Sequence, residues 1–214
     1  MQATWDTLRA VLIGTEKQKP CRDDRALDAT LTELEDRGLV GWGKTANRYE
    51  LHPIVRGVVW QALDARARRD IYGALHSYFD AAPRPPAWEQ VESLEDLTTG
   101  IELFHTLIGL GRYEDAYVVF RDHLSDAMRY RLNANRQQVE LLERLFPDGV
   151  ETLPRLRSVR RQGYMLNQLA VAYQASGKRG RAERLPLRPN YRPPPSQRTR
   201  RAGTADAALR YRQT

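Results

Sequence analysis

The sequence predicts a mostly α-helical protein with one small β-hairpin near its amino-terminal end. Three observations carry this. Apolar residues recur every three or four positions along most of the chain. One pair of short strand-like runs flanks a connection containing Gly and Asn. Glycines and prolines punctuate the periodic segments. The chain has 214 residues, 41% of them hydrophobic and 29% charged. That is enough for one large domain or two small ones with a sizeable core.

The elements follow in order. Trp5, Leu8 and Leu12 share one helical face. Asp23 or Asp24 caps a second helix with Leu27, Leu31 and Leu34 inward, and Gly38 ends it. Leu39-Val-Gly-Trp and Arg48-Tyr-Glu-Leu-His form a hairpin through Gly43-Lys-Thr-Ala-Asn. Pro53 suits the first turn of a third helix, whose expected buried side is Ile54, Val55, Val58, Val59 and Ala62. A fourth carries Ile71, Leu75, Tyr78 and Phe79. A helix leading into a two-stranded wing, then more helix, is the order of a winged-helix domain, placed at residues 1–80.

Residues 81–92 read as a proline-rich linker. Beyond it, Leu94, Leu97, Ile101, Phe104 and Ile108 form one stripe, and Ala116, Phe120, Leu124 and Ala127 the next. Gly111-Arg-Tyr-Glu-Asp-Ala116 and Gly177-Lys-Arg-Gly-Arg-Ala182 both place Ala five residues after Gly. They lie 66 residues apart, close to two helical-repeat periods of about 34. Gly turns the chain between antiparallel helices and Ala lets the second approach the first. Leu166, Leu169, Ala170 and Tyr173 sit where a tetratricopeptide repeat has its first-helix core. Helices are also expected over 139–146 and 153–160. Residues 93–185 thus read as tetratricopeptide-like hairpins, the last helix stopping near Leu185 because Pro186 follows. Residues 186–214 read as a basic, Pro/Arg-rich disordered tail.

The formal net charge is +7. Residues 184–214 hold eight arginines and one acid, and the remaining chain balances 26 basic against 26 acidic residues. Basicity therefore belongs to the tail. The helix before the wing, Asp23 to Arg37, has a net charge of −4, and phosphates repel such a helix. The expectation is a protein partner through the repeat surface and no nucleic-acid partner. The alternative is a winged-helix DNA-binding transcriptional regulator. No apolar run reaches membrane-spanning length and no basic-then-apolar leader opens the chain, so no membrane partner is expected. A single cysteine, Cys21, excludes a disulfide framework and fits a cytoplasmic location.

Gly38-Leu-Val-Gly-Trp-Gly43-Lys44-Thr45 matches the Walker A string, and an ATP-binding enzyme is the third reading. A phosphate-cradling loop follows a strand and opens a helix; here a helix precedes and a strand follows, which reads as a turn in the wing. His52, at a strand-to-helix junction, is a structural hydrogen-bonding group by chemistry alone. His76, His105 and His123 lack ligand spacing. No catalytic residue and no metal site is expected.

Leu27-Asp-Ala-Thr-Leu-Thr-Glu-Leu-Glu-Asp-Arg-Gly-Leu-Val, followed by Arg48-Tyr-Glu-Leu-His-Pro-Ile-Val-Arg, resembles the winged-helix segment of STAND signal-transduction ATPases of the NB-ARC type. The downstream helices resemble the tetratricopeptide-like repeats that often follow it in bacterial members. The resemblance covers about residues 5–183. It implies that Leu51-His52-Pro53 stands at the family's Met-His-Asp-type motif, with Leu and Pro replacing Met and Asp. In an intact protein His52 would then contact the ADP phosphate and help hold the resting state. The family's nucleotide-binding domain belongs upstream, and this chain is expected to start after the point where that domain ends. The resemblance therefore implies a non-catalytic regulatory and repeat part, with no cofactor in this chain and ADP or ATP only beside an upstream ATPase domain. Loss of the repeat pattern at Pro186 fits a truncated or frame-altered reading of a longer gene.

Overall fold

The structure, a computed structural model, describes residues 3–13, 20–43 and 48–186. It is mostly helical with a small antiparallel sheet. The chain divides into two compact units, Met1–Asn133 and the part from Ala134 onward.

In the first unit a two-residue strand, β1 (Ala3–Thr4), leads into helix α1 (Trp5–Leu12). Thr4 caps α1, its hydroxyl accepting from the Thr7 amide. Helix α2 (Asp24–Asp36) is capped by Asp23, which accepts from the Ala26 amide at 2.8 Å. Gly38, at φ +67°, ends it, and the Leu39 amide donates back to the Leu34 carbonyl. Strands β2 (Val40–Gly43) and β3 (Arg48–Leu51) pair antiparallel, with Val40 opposite Leu51 and Trp42 opposite Tyr49. β1 joins the other edge of β3, giving the order β1-β3-β2. The hairpin was legible in the sequence; β1 was not, since two residues carry no alternation. Cys21, Leu27 and Leu31 form a core with Trp5, Leu8, Leu12 and Tyr49 packed against it.

Helices α3 (Pro53–Ala62) and α4 (Ala65–Ala81) follow. Here the expected burial is overturned. Ile54 is 71% exposed, Val58 63% and Val59 46%, and α3 buries no side chain. Its visible attachment is on another side, where Trp60 meets Tyr72 edge-on at 5.4 Å and the Arg68 guanidinium lies over the same indole. Apolar periodicity marks a face that favours cover; it does not supply the cover. Ile71 of α4 is likewise exposed, whereas Leu75 and Phe79 are buried.

The proline-rich stretch 81–92 packs rather than spans. Val91 is fully buried and its carbonyl accepts from Arg131 Nε at 2.9 Å. Trp88 meets Tyr130 edge-on, and Pro85 lies against Gly100. The division between compact units falls at Asn133/Ala134 instead of at these prolines. Helix α5 (Thr98–Gly109) packs on α4 and on α6 (Tyr113–Val119), which runs on through two π-helical turns, Phe120–Leu124 and Ala127–Arg131. Ala116, Phe120, Leu124 and Ala127 are all fully buried, as the stripe predicts.

The second unit holds α7 (Asn135–Glu143), α8 (Val159–Ala175) and α9 (Arg179–Glu183). Val139, Leu142, Leu169 and Tyr173 are fully buried in it. The helix expected over 153–160 does not form before Val159. Pro154 lacks a donor and pushes Leu153 out of the helical region, and the Arg155 amide donates instead to the Leu145 carbonyl. α9 ends at Glu183, and Leu185 is buried just ahead of Pro186. The rest of the expected tail, 187–214, lies outside the described residues.

Candidate functional site

His52 follows the last residue of β3 and precedes Pro53, the first residue of α3. Its amide donates to the Leu39 carbonyl at 3.2 Å, and its carbonyl accepts from the Arg56 amide at 2.9 Å. Its Nδ1 accepts from the Ile54 amide across 3.4 Å, a long helix cap. A ring nitrogen that accepts carries no proton, so this cap requires the tautomer with its N–H on Nε2. The exposed His52 thus caps α3 and keeps one N–H donor, the group a phosphate contact would use.

The Walker-like string does not form one loop over its described part. Gly38 is the helix stop of α2, and Val40–Gly43 is strand. Lys44 and Thr45 lie outside the described residues. The six acids between Asp23 and Asp36 are exposed. Burial, with Asp28 and Glu35 nearby, pushes the Tyr49 phenol above its ordinary range.

The two Gly-to-Ala matches share one turn geometry. Gly111 has φ +72°, and the Arg112 amide donates to the Leu107 carbonyl at 2.8 Å. Gly177 has φ +78°, and the Lys178 amide donates to the Tyr173 carbonyl at 2.8 Å. Gly38 closes α2 the same way, so the turn by itself is a general helix stop. What distinguishes the pair is a helix on each side with Ala at the fifth position after Gly. Ala116 is fully buried; Ala182 is half-buried on a helix of only five residues.

In the second unit Tyr173 donates to Glu143 Oε1 at 2.7 Å, and Arg181 donates to the same oxygen at 2.9 Å. Burial first, then the bond to Glu143, pushes the Tyr173 phenol up to about 12. This triad ties α9 to α7 and α8. The sequence reading missed it, because the three residues are joined only by the folding of the hairpins. Beside it an open depression of about 370 Å³ is lined by Ala170, Gln174, Arg179, Ala182 and Glu183.

The other histidines are half-buried. His76 Nε2 is 2.9 Å from the Arg112 guanidinium, which also holds Asp115 at 2.7 Å. A hydrogen bond from Arg84 holds the neighbouring Asp80 below its usual carboxylate range. Among the described residues no group of three or more His, Cys, Asp or Glu is placed to hold a metal ion. Cys21 is a buried free thiol. No described helix is long and apolar enough to cross a membrane. These polar contacts close helix ends or join helices. Compared with known proteins, the chain matches no family profile, no curated protein and no solved structure.

Proposed function

We propose that the chain is a non-catalytic regulatory and protein-interaction module, similar to the winged-helix and repeat part of a STAND ATPase, that binds a protein partner through its helical hairpins. The observation that carries the reading is the matched pair of helix–Gly–helix turns at Gly111 and Gly177, each with Ala five residues on. Stacked helix pairs of this kind offer a surface for a protein segment without any catalytic group. The sheet order β1-β3-β2, entered from α2, supports a winged helix in the first unit. The exposed carboxylates of α2 favour a protein partner over duplex DNA. The buried free thiol of Cys21 is in keeping with a cytoplasmic protein. His52, with its Nε2–H available, would sense ADP phosphate in a protein that also carries an ATPase domain.

The test is selection of peptides from a random display library on the full chain, followed by hydrogen exchange. Selected peptides are expected to protect exposed faces of α5 and α6, or of α8 and α9. Protection confined to α2 and the hairpin, with sequence-selective duplex binding that survives rising salt, would replace this reading with the DNA-binding regulator.

A further inference from the structure

We infer that the outward face of α3 is a separate docking surface whose occupant is a protein segment with an apolar face edged by carboxylates. The inference does not rest on the repeat reading, because α3 lies outside both hairpins. Ile54 and Val58 stand one turn apart, and Val59 and Ala62 continue the stripe. All four are exposed. Helical geometry sets Val58 about 160° from Trp60, the side chain anchored on Tyr72. The anchored side and the apolar side are therefore opposite. A helix side turned to water normally carries charge; this one carries aliphatic β-branched residues. Leu51, two residues before the helix, is exposed as well.

The charge on α3 identifies the chemistry of the occupant. The helix contains Arg56 and no acid. Arg56 lies about 60° around the helix from Val59, on the border of the stripe. Its guanidinium has no hydrogen bond or ion pair among the described residues. Arg9, Arg37, Arg84, Arg112 and Arg121 of the same unit are each matched with a carboxylate, whereas Arg22, Arg25 and Arg69 are, like Arg56, unmatched among the described residues; what sets Arg56 apart is its place on the border of the stripe. A partner that covers the stripe meets an unmatched guanidinium at its edge, and a carboxylate there makes a charge-assisted bond.

A second copy fits less well. Two α3 helices paired face to face would set each Arg56 against a helix that carries no acid to match it. A membrane surface fits less well too. Interfacial helices present several cations and bulky anchors, whereas α3 has one arginine and turns its Trp60 against Tyr72.

The test uses the full chain and two synthetic amphipathic helical peptides with identical leucine stripes, one edged with glutamate and one with lysine. Fluorescence anisotropy should show the glutamate peptide binding about tenfold tighter, or more, than the lysine peptide. Val58→Asp should weaken it by at least about tenfold, with the circular dichroism spectrum unchanged because Val58 is exposed. Val58→Ala should weaken it less, and Arg56→Glu should reverse the preference between the peptides. Equal binding of the two peptides, binding indifferent to Val58→Asp, or no binding of either overturns the proposal. It is also overturned by a sedimenting dimer, or by adsorption to phosphatidylserine vesicles, that Val58→Asp abolishes while neither peptide binds.

Discussion

Gly109→Ala should destabilise the first unit, although the same change in an open helix end is neutral or helpful. A Cβ built on Gly109 would stand 2.3 Å from Tyr72 Cζ and 2.4 Å from both Cε atoms. Such an overlap must be relieved by moving the ring or the helix. The ring is not loose, for it also meets Trp60 edge-on at 5.4 Å. Overpacking of this kind costs about 1–3 kcal/mol. Replacing Gly by Ala in a helix returns at most about 1 kcal/mol, and less at Gly109, the last residue of α5. The balance is a loss of about 1–2 kcal/mol. All four tryptophans (Trp5, Trp42, Trp60 and Trp88) lie in the first unit, so urea unfolding followed by their fluorescence reports this unit alone. In a Tyr72→Ala background the obstacle is gone, and Gly109→Ala should become neutral or mildly stabilising. If Gly109→Ala leaves the midpoint unchanged while Tyr72 is intact, the close approach of α4 and α5 argued above is wrong.

In the second unit, Gly177→Ala should cost about 1–2 kcal/mol, purely for the left-handed backbone, since open space surrounds the new methyl; Gly177→Asn should cost less, and thermal melts by circular dichroism would check the order. The raised pKa of Tyr173 makes a stability contribution that is complete below about pH 10 and is lost as pH climbs through about 12. Absorbance at high pH should therefore show a late-ionising tyrosine that Tyr173→Phe removes; Tyr49, also pushed up, makes that difference spectrum the necessary comparison. A chain ended after Pro186 loses seven arginines and Asp206, and with them any salt-sensitive, nonselective duplex binding; gel shifts at rising salt should show this, and retained binding would locate a nucleic-acid surface in the folded part.

Local chemistry was read well from the chain. A cap at Asp23 or Asp24, Gly38 as a stop, and the Ala116–Phe120–Leu124–Ala127 stripe all follow from short-range rules; the structure shows the stop and the stripe and decides the cap for Asp23. The readings that failed depend on what lies across space. β1 gains its two-residue pairing from β3, some 45 positions along the chain, so no local pattern announces it. Residues 153–158 have an apolar sprinkling, but Pro154 and the bond from Arg155 to Leu145 hold them out of a helix. The π-helical turns after Val119 keep the apolar stripe buried while widening the helix, a change that four-residue spacing does not reveal. The candidate site divides the same way. His52 stands out in the sequence only through its resemblance to a family motif, whereas the unmatched state of Arg56 and the bareness of Ile54 and Val58 required the packed structure.

His52 is a curious choice of cap, and the contrast with its neighbours gives it a test. The chain caps α2 with Asp23 at 2.8 Å and α4 with Asp64 at 2.7 Å, both short bonds from a carboxylate to an amide. For α3, between them, it uses an imidazole across 3.4 Å. Aspartate ranks among the preferred caps, and a carboxylate also suits the positive end of the helix dipole. Stability alone would favour His52→Asp, by about 0.5–1 kcal/mol. The tryptophan-reported urea midpoint should rise accordingly. An increase would mean that the histidine is kept at a cost to the fold, and the group it has that aspartate lacks is the Nε2–H donor. A fall in the midpoint would mean that the imidazole contributes packing or bonding that outweighs a good cap. His52 would then be a structural residue, and its proposed reach toward a phosphate would lose its physical basis.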